Sequence, residues 1–382
     1  VAALLLSQIA DFTSVSKNEG ASVALLAAIT QLNDAGMDQL CQRLAAEAAS
    51  LDATGNWPQQ QLAALGQAGV YRWFQPQHWG GLEWSEADLA RGYLRLAAAC
   101  LSTTFILTQR SAAVKRIVES ENEAAQQQLL PRLADGSLFA TVGISHLTTS
   151  RRHLAKPVLQ ARETSAGYVL NGFSPWVTGA DHADTVVLGA TLEDGRQILL
   201  ALPTALSGVI TPPHAQLLGL TASHTGPLEC HDVHVDRQWL LDGPVENVMA
   251  VHGGAKTGGL QTSALAIGLA GAAIEFLSRE SQQRSDLAGP TEHLQREHAT
   301  WQANLLSLAS GTEACTSEAL RAQANSLALR ATQAALAAAK GTGYVAGHPA
   351  GRWCREALFF LVWSCPQPVM NANLCELAGL GD

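Results

Sequence analysis

Residues 168–188 read YVLNGFSPWVTGADHADTVVL. Tyr168, Val169 and Leu170 read as a strand, and Asn171-Gly172 as a tight hairpin turn. A second strand runs through Trp176, Val177 and Thr178 until Gly179-Ala180 breaks it, and Ala183 to Leu188 begin a third apolar run. In a strand, residues two apart share a face, so Trp176 and Thr178 lie side by side on one surface of the sheet. A flat cofactor fits such a surface, with the indole against its apolar edge and the hydroxyl bonded to a ring heteroatom. An ordinary hairpin with a packed tryptophan accounts for the same letters.

On either side of this stretch the texture changes. Residues 23–50, 58–69, 85–99, 103–119 and 122–134 carry apolar positions at helical spacing, with Ser85 and Asn56 placed as caps and Asp135-Gly136 as a stop. From Leu138 alternation takes over. Short strands are predicted at 138–145, 155–163, 167–172, 175–179, 184–190, 197–202, 208–213 and 227–235, with Asp194-Gly195 as a hairpin turn. Residues 75–84 read as a loop. After Gly243 helices return, over 255–285, 291–311, 315–341 and 349–364.

The predicted fold is therefore a segregated α+β chain in three parts. These are an N-terminal helical domain (1–138, with residues 1–30 an extension), a central β-barrel or sandwich domain (139–242) and a C-terminal four-helix bundle (243–382). No GxGxxG opens a βαβ unit, which argues against a dinucleotide-binding doubly wound sheet.

Composition narrows the function class. The chain has 382 residues, 47% hydrophobic and 15% charged, with a formal net charge of −9. That balance, and basic residues scattered apart from the short Arg151-Arg152 pair, argue against a nucleic-acid partner. The seven cysteines form no CxxC pair, which fits a reducing, cytoplasmic setting better than a disulfide framework. Val1 to Leu6 are too few and lack the basic lead of a signal peptide. No uninterrupted apolar run reaches the ~18 residues of a membrane span.

The three-part order and several motifs resemble the acyl-CoA dehydrogenase superfamily over residues 31–375. Residues 168–190 resemble the family segment approximated by LNG-K-WITN-ADV, with Ser174 in place of its lysine; Trp176 and Thr178 match the residues flanking the flavin. LLGLTASHTGPLECHDVHVDRQWLL (217–241) resembles the segment closing the β domain. Arg284 and Gln295 match an arginine and a glutamine eleven residues apart, where the family arginine reaches the FAD of a neighbouring subunit. A guanidinium suits a pyrophosphate by charge and planar donors. GTGYVAGHPAGRWCREA (341–357) is similar to the glycine-rich turn and arginine-rich helix; Gly341 and Gly343 would admit a phosphate close to the backbone. By themselves these glycines equally well end the helix at Lys340.

The resemblance implies FAD, a homodimer or homotetramer, and a small substrate such as an acyl-CoA bound beside Phe105 and Gln109. It also implies an electron acceptor, or a flavin reductase in the monooxygenase case. Phe359, Phe360 and Trp363 suggest an apolar pocket, or simply core.

The departures concern chemistry. Counting eight residues from Glu356, the family's base position holds Ser364, and the alternative base position holds Gln261. Neither side chain is a simple base near neutral pH. In FATVGISHLTTSRRH (139–153) Ser145 replaces a flavin-bonding threonine, His146 replaces an acid, and Arg151-Arg152 replace Ser-Asp; Ala337 replaces a glutamine.

Three functions compete. They are an FAD-dependent acyl-CoA dehydrogenase-like oxidoreductase, a flavin-dependent monooxygenase of the same fold, and an inactive scaffold. His146, His153, His182 and His348 invite the second, although surface and capping roles explain them. His231-x-x-His234-x-Asp236 is not expected to bind metal, because 231 and 234 face opposite sides of a strand.

Overall fold

The computed structural model describes residues 27–32, 34–148, 158–253 and 259–380. The expectations at Val1–Leu6, Arg151, Arg152 and His153 lie outside the described residues.

Among the described residues, five helices come first: α1 (Ala35–Thr54), α2 (Gln59–Gln67), α3 (Glu86–Ala99), α4 (Leu101–Glu119) and α5 (Glu123–Asp135). Their ends follow from local chemistry. The Ser85 hydroxyl accepts the Asp88 amide at 3.2 Å, with Glu86 and Asp88 in the positive first turn of α3. Asn122 Oδ1 accepts the Ala125 amide at 2.9 Å at the start of α5, and Gly136 ends it with φ 79°.

The centre is one mixed eight-stranded sheet: β1 (Ala140–Gly143), β2 (Leu159–Glu163), β3 (Gly167–Thr178), β4 (Thr185–Leu192), β5 (Gln197–Pro203), β6 (Val209–Ile210), β7 (Thr225–Asp236) and β8 (Leu240–Val245). The order is β6-β7-β3-β2-β4-β5-β8. β1 joins β4 in parallel, and β2 pairs with β4 in parallel as well. A short helix α6 (Ser145–Thr148) follows β1. All of β4 is buried because both its faces are covered. Val186, Leu188 and Ala190 enter a core shared with Leu159, Tyr168 and Leu200; Val187 faces Val114, Ile117 and Leu130 of the helical layer.

The predicted Asn171-Gly172 hairpin is incorrect: Gly167–Thr178 is one continuous strand. The dipeptide forms a β-bulge, with the register against β7 slipping between Leu170 and Gly172. Asn171 is turned to Asp232 of β7, donating from Nδ2 to Oδ1 at 2.9 Å and accepting the Asp232 amide at 2.9 Å. Gly172 has φ 118°, and a Cβ there would lie 2.1 Å from the Val158 carbonyl oxygen. The chain reverses earlier, where the Thr164 amide donates to the Gly167 carbonyl at 2.8 Å. A second register shift falls between Ser174 and Val177, at Pro175, which has no amide hydrogen for the ladder. The Asp194-Gly195 turn joins β4 to β5, with Gly195 at φ 88°.

The C-terminal part holds α7 (Leu260–Ser281), α8 (Ala288–Ala309), α9 (Ser317–Gly343), α10 (Pro349–Leu358) and α11 (Gln367–Leu377). The helix predicted to reach 364 stops at 358, and β8 and α11 were not anticipated. α7 is long and apolar enough to cross a membrane, contrary to the run-length reading, but 67% of its apolar window is buried in the protein. It is the centre of a core joining Leu40, Leu96 and Phe105 to Leu265, Leu269 and Leu327. Gly268 lets α3 approach: a Cβ there would meet Leu94 O at 2.6 Å and Ala97 Cβ at 2.9 Å.

Candidate active site

A cavity of about 1190 Å³ lies between the sheet and α3, α4, α7 and the end of α10. It brings together Ser145, Trp176, Thr178, Phe105, Gln109, Gln261 and Ser364, seven of the residues singled out in the sequence. They come from five separated parts of the chain.

The sheet side is polar and flat. Trp176, at the Pro175 bulge, is 51% exposed, large for an indole, and faces the cavity. Thr178 Oγ1 lies 2.9 Å from Thr225 Oγ1, which in turn lies 2.8 Å from Ser223 Oγ. Ser145 Oγ is out of solvent contact and has no hydrogen-bond partner among the described residues. A buried hydroxyl in that state costs free energy unless a further group fills the place beside it.

The opposite side is aromatic. Phe359 and Trp363 stack, with centroids 5.1 Å apart and planes at 13°, and Phe105 meets both edge-on at 4.8 and 5.0 Å. Arg321 Nη2 donates to the Trp363 carbonyl at 2.8 Å and Asn325 Nδ2 to the Phe360 carbonyl at 3.0 Å, tying this turn to α9. Ser364 follows with φ 44°, a left-handed conformation uncommon outside glycine.

No carboxylate stands at Ser364 or Gln261. Among the described residues, the carboxylates that line the cavity are Glu83, Glu86 and Glu119, with Lys115 and Arg116 also in its lining. The sequence reading missed them, as it missed Thr225 and Arg355. One signal was available: Gln109, Ala112, Arg116 and Glu119 follow helical spacing and so share one face of α4. Arg355 Nη1 donates to Asp52 Oδ1 at 2.8 Å and to the Leu218 carbonyl at 3.3 Å, bracing the cavity rim against α1. Glu356 is buried beside Arg352, 3.6 Å away, and burial pushes its carboxyl up to about 7.

Arg284, Gln295 and Gly341 do not line this cavity. Arg284 Nη1 donates to the Ala338 carbonyl at 2.6 Å, near the last turn of α9. Gly341 follows the break in α9 at Lys340, and a Cβ on it would meet nothing within 4 Å. Gln295 Nε2 donates to Ser278 Oγ at 3.4 Å. Arg284 and Gly341 thus share one end of the helical bundle.

The described histidines of the monooxygenase reading do not line the cavity either. His146 Nε2 donates to the Gly189 carbonyl at 2.8 Å, and burial lowers its pKa. His348 Nδ1 caps α10 by accepting the Ala350 amide at 3.2 Å. His182 belongs to a separate cluster.

Residues 30–137 match the family model described as acyl-CoA dehydrogenase, N-terminal domain. The chain is 27% identical over 263 residues to the probable acyl-CoA dehydrogenase YngJ of Bacillus subtilis, covering 66% of this chain and 68% of that protein. It is 28% identical over 165 residues to the flavin-dependent monooxygenase, oxygenase subunit HsaA, of Mycobacterium tuberculosis, covering 43% of this chain and 38% of that protein. A solved structure of a glutaryl-CoA dehydrogenase from Mycobacterium smegmatis in complex with FADH2 superposes with a TM-score of 0.76 at 17% identity, covering 91% of this chain and 95% of that one.

Proposed function

We propose that this chain is a member of the acyl-CoA dehydrogenase superfamily, an FAD-dependent oxidoreductase that dehydrogenates an acyl thioester at its α and β carbons. The observation that carries this reading is the single cavity holding Ser145, Trp176 and Thr178 on one wall and Phe105, Gln109 and Phe359 on the other. The residues fit a flavin. Ser145 offers a buried hydroxyl with no partner among the described residues, Thr178 a hydroxyl paired with Thr225, and Trp176 an exposed apolar face. FAD, when bound, supplies the two-electron acceptor.

The chain's own part is binding, orientation and exclusion of water. The Phe105, Phe359 and Trp363 group gives an apolar lining for an acyl chain, and a dry cavity strengthens every polar contact made inside it. Arg284, Gln295 and Gly341, away from this cavity, serve the FAD of a second copy of the chain in a dimer or tetramer. The domain limits proposed for this arrangement are 1–138, 139–242 and 243–382. A proton acceptor is required for dehydrogenation, and with Ser364 and Gln261 unsuited to it the role falls to Glu83, Glu86 or Glu119.

The absence of a carboxylate at Ser364 and Gln261, together with the likeness to HsaA, favours a second reading: a flavin-dependent monooxygenase acting on a substrate without CoA, with a flavin reductase as partner. An anaerobic absorbance spectrum of the purified protein, before and after a panel of acyl-CoAs, separates the two. Bleaching of the ~450 nm flavin band by an acyl-CoA is the result expected for the dehydrogenase. A flavin that stays oxidised with every acyl-CoA, yet forms product from a phenolic substrate when supplied reduced with oxygen, overturns it in favour of the monooxygenase.

A further inference from the structure

Behind the Thr178–Thr225 wall, three polar side chains converge from two loops. Asp181 and His182 lie in the short turn after β3, and His224 immediately precedes β7. Their donor atoms form a compact triangle. His224 Nδ1 is 3.0 Å from Asp181 Oδ2 and 3.1 Å from His182 Nε2, and His182 Nε2 is 3.6 Å from Asp181 Oδ2. His214 stacks on His224, with centroids 3.8 Å apart, and places Nδ1 4.0 Å from the same Asp181 oxygen.

The tautomers make this triangle unusual. His224 Nε2 lies 3.2 Å from the Gly55 carbonyl oxygen. A carbonyl only accepts, so Nε2 carries the hydrogen and Nδ1 of the neutral ring presents a lone pair. That lone pair faces a carboxylate oxygen at 3.0 Å. A proton on His224 Nδ1 serves Asp181 Oδ2, and one on His182 Nε2 serves His224 Nδ1, but neither proton alone joins all three atoms. One cation at the centre satisfies all three atoms at once.

The dimensions match a metal ion. For tetrahedral zinc with bonds of about 2.0–2.1 Å, neighbouring ligand atoms are separated by about 3.3 Å, close to the mean of the three edges observed. Two imidazoles and a carboxylate are a donor set used by divalent first-row metals, with further positions left to water or His214. The Nε2–H of His224 on a backbone carbonyl is the outer contact that orients a metal-binding histidine. Trp57 stacks on His182 with centroids 4.3 Å apart, which fixes that ring too.

We infer that Asp181, His182 and His224 form a binding site for one divalent transition-metal ion of the zinc class, clasping the two loops to the Gly55–Trp57 segment. The site needs no flavin for its assembly, so its test is independent of the oxidoreductase reading.

The probe is Co2+ titrated into the full-length protein after chelator treatment, read by visible absorbance and by metal content per chain. One Co2+ per chain with d–d bands, displaced by Zn2+, is expected. His182→Asn and His224→Gln should each weaken binding by at least about 10–100-fold, the loss typical even of outer-shell changes. His231→Ala removes an exposed histidine paired with Glu229 and should leave binding unchanged. Absence of binding, or binding that survives both His182→Asn and His224→Gln, overturns the site. Mapping of diethylpyrocarbonate modification on the wild-type chain gives the same answer without variants. Protection of His182 and His224 by Zn2+ supports it; equal modification with and without Zn2+ overturns it.

Discussion

Thr178 and Thr225 face each other on adjacent strands, Oγ1 to Oγ1 at 2.9 Å, on the floor of the cavity. Ser223 sits 2.8 Å behind Thr225, so the three hydroxyls form a chain that can present one hydrogen at its cavity end. Thr178→Val keeps the shape and the strand preference and removes that end. Thr225 keeps Ser223 as a partner, so the fold loses little. Flavin affinity should fall by about 5-fold, the effect of one net hydrogen bond near 1 kcal/mol. Titration of the apoprotein with FAD, followed by flavin fluorescence, measures it. An unchanged affinity would place the flavin elsewhere.

Glu356 gives a pH dependence of stability with a definite sign. Its folded pKa is about 7, above the ordinary 4.5, because burial outweighs the attraction of Arg352 and Arg355 and Asp52 adds repulsion. The folded state therefore holds a proton between about pH 4.5 and 7 that the unfolded state has released. Stability falls as pH rises through that window and is level above it. The shift corresponds to a few kcal/mol, about 3 at most. Glu356→Gln should flatten this part of the curve. Below about pH 7 the folded carboxyl is already neutral, so the variant takes an ionised partner from Arg352 only above that pH. Urea melts at several pH values between 4.5 and 8 test it, and an unaltered slope would remove Glu356 as its source.

Much of this molecule is written locally. Ser85 and Asn122 mark helix starts by side-chain caps and Gly136 a helix end by its left-handed backbone, all local effects, and the structure has those ends within a residue or two of the expected places. Asn171-Gly172 shows where local reading stops. The same pair serves a hairpin or a bulge, and the choice is made by Asp232 on a neighbouring strand 61 residues away. The cavity residues were legible because Trp176 and Thr178 share a strand face and the family likeness supplied Phe105, Gln109, Gln261 and Ser364. Glu86 was not, since nothing in its own segment indicates that the start of α3 borders the cavity. The apolar length of α7 reads alike for a membrane and for a core, and only its neighbours Leu96 and Leu327 decide between them.

The α3–α7 contact predicts an effect opposite to helix propensity. In an exposed helix, glycine to alanine gains about 1 kcal/mol. At Gly268 the new Cβ would meet the Leu94 carbonyl oxygen at 2.6 Å and Ala97 Cβ at 2.9 Å, and neither belongs to a flexible side-chain end. Gly268→Ala should therefore destabilise the protein by about 1–3 kcal/mol, the range of overpacked cores. Denaturant unfolding measures the difference, and a stabilised variant would show that the helices separate without cost.

Ser145 separates a structural from a ligand-binding role by the sign of two measurements. Its Oγ is buried and has no hydrogen-bond partner among the described residues, so in the apoprotein the hydroxyl is a burden rather than a support. Ser145→Ala should leave apoprotein stability unchanged or raise it, by up to about 1 kcal/mol, a share of the 1–3 kcal/mol cost of an unsatisfied buried group. Flavin affinity should move the other way, falling several-fold as the ring loses a donor. The gain from FAD in a thermal melt should then be smaller in the variant than in the wild type at equal FAD concentration, because ligand stabilisation follows the ratio of free ligand to Kd. If apoprotein stability drops and the FAD-dependent shift is intact, Ser145 is a packing residue whose partner is protein, and the wall built on it binds no flavin.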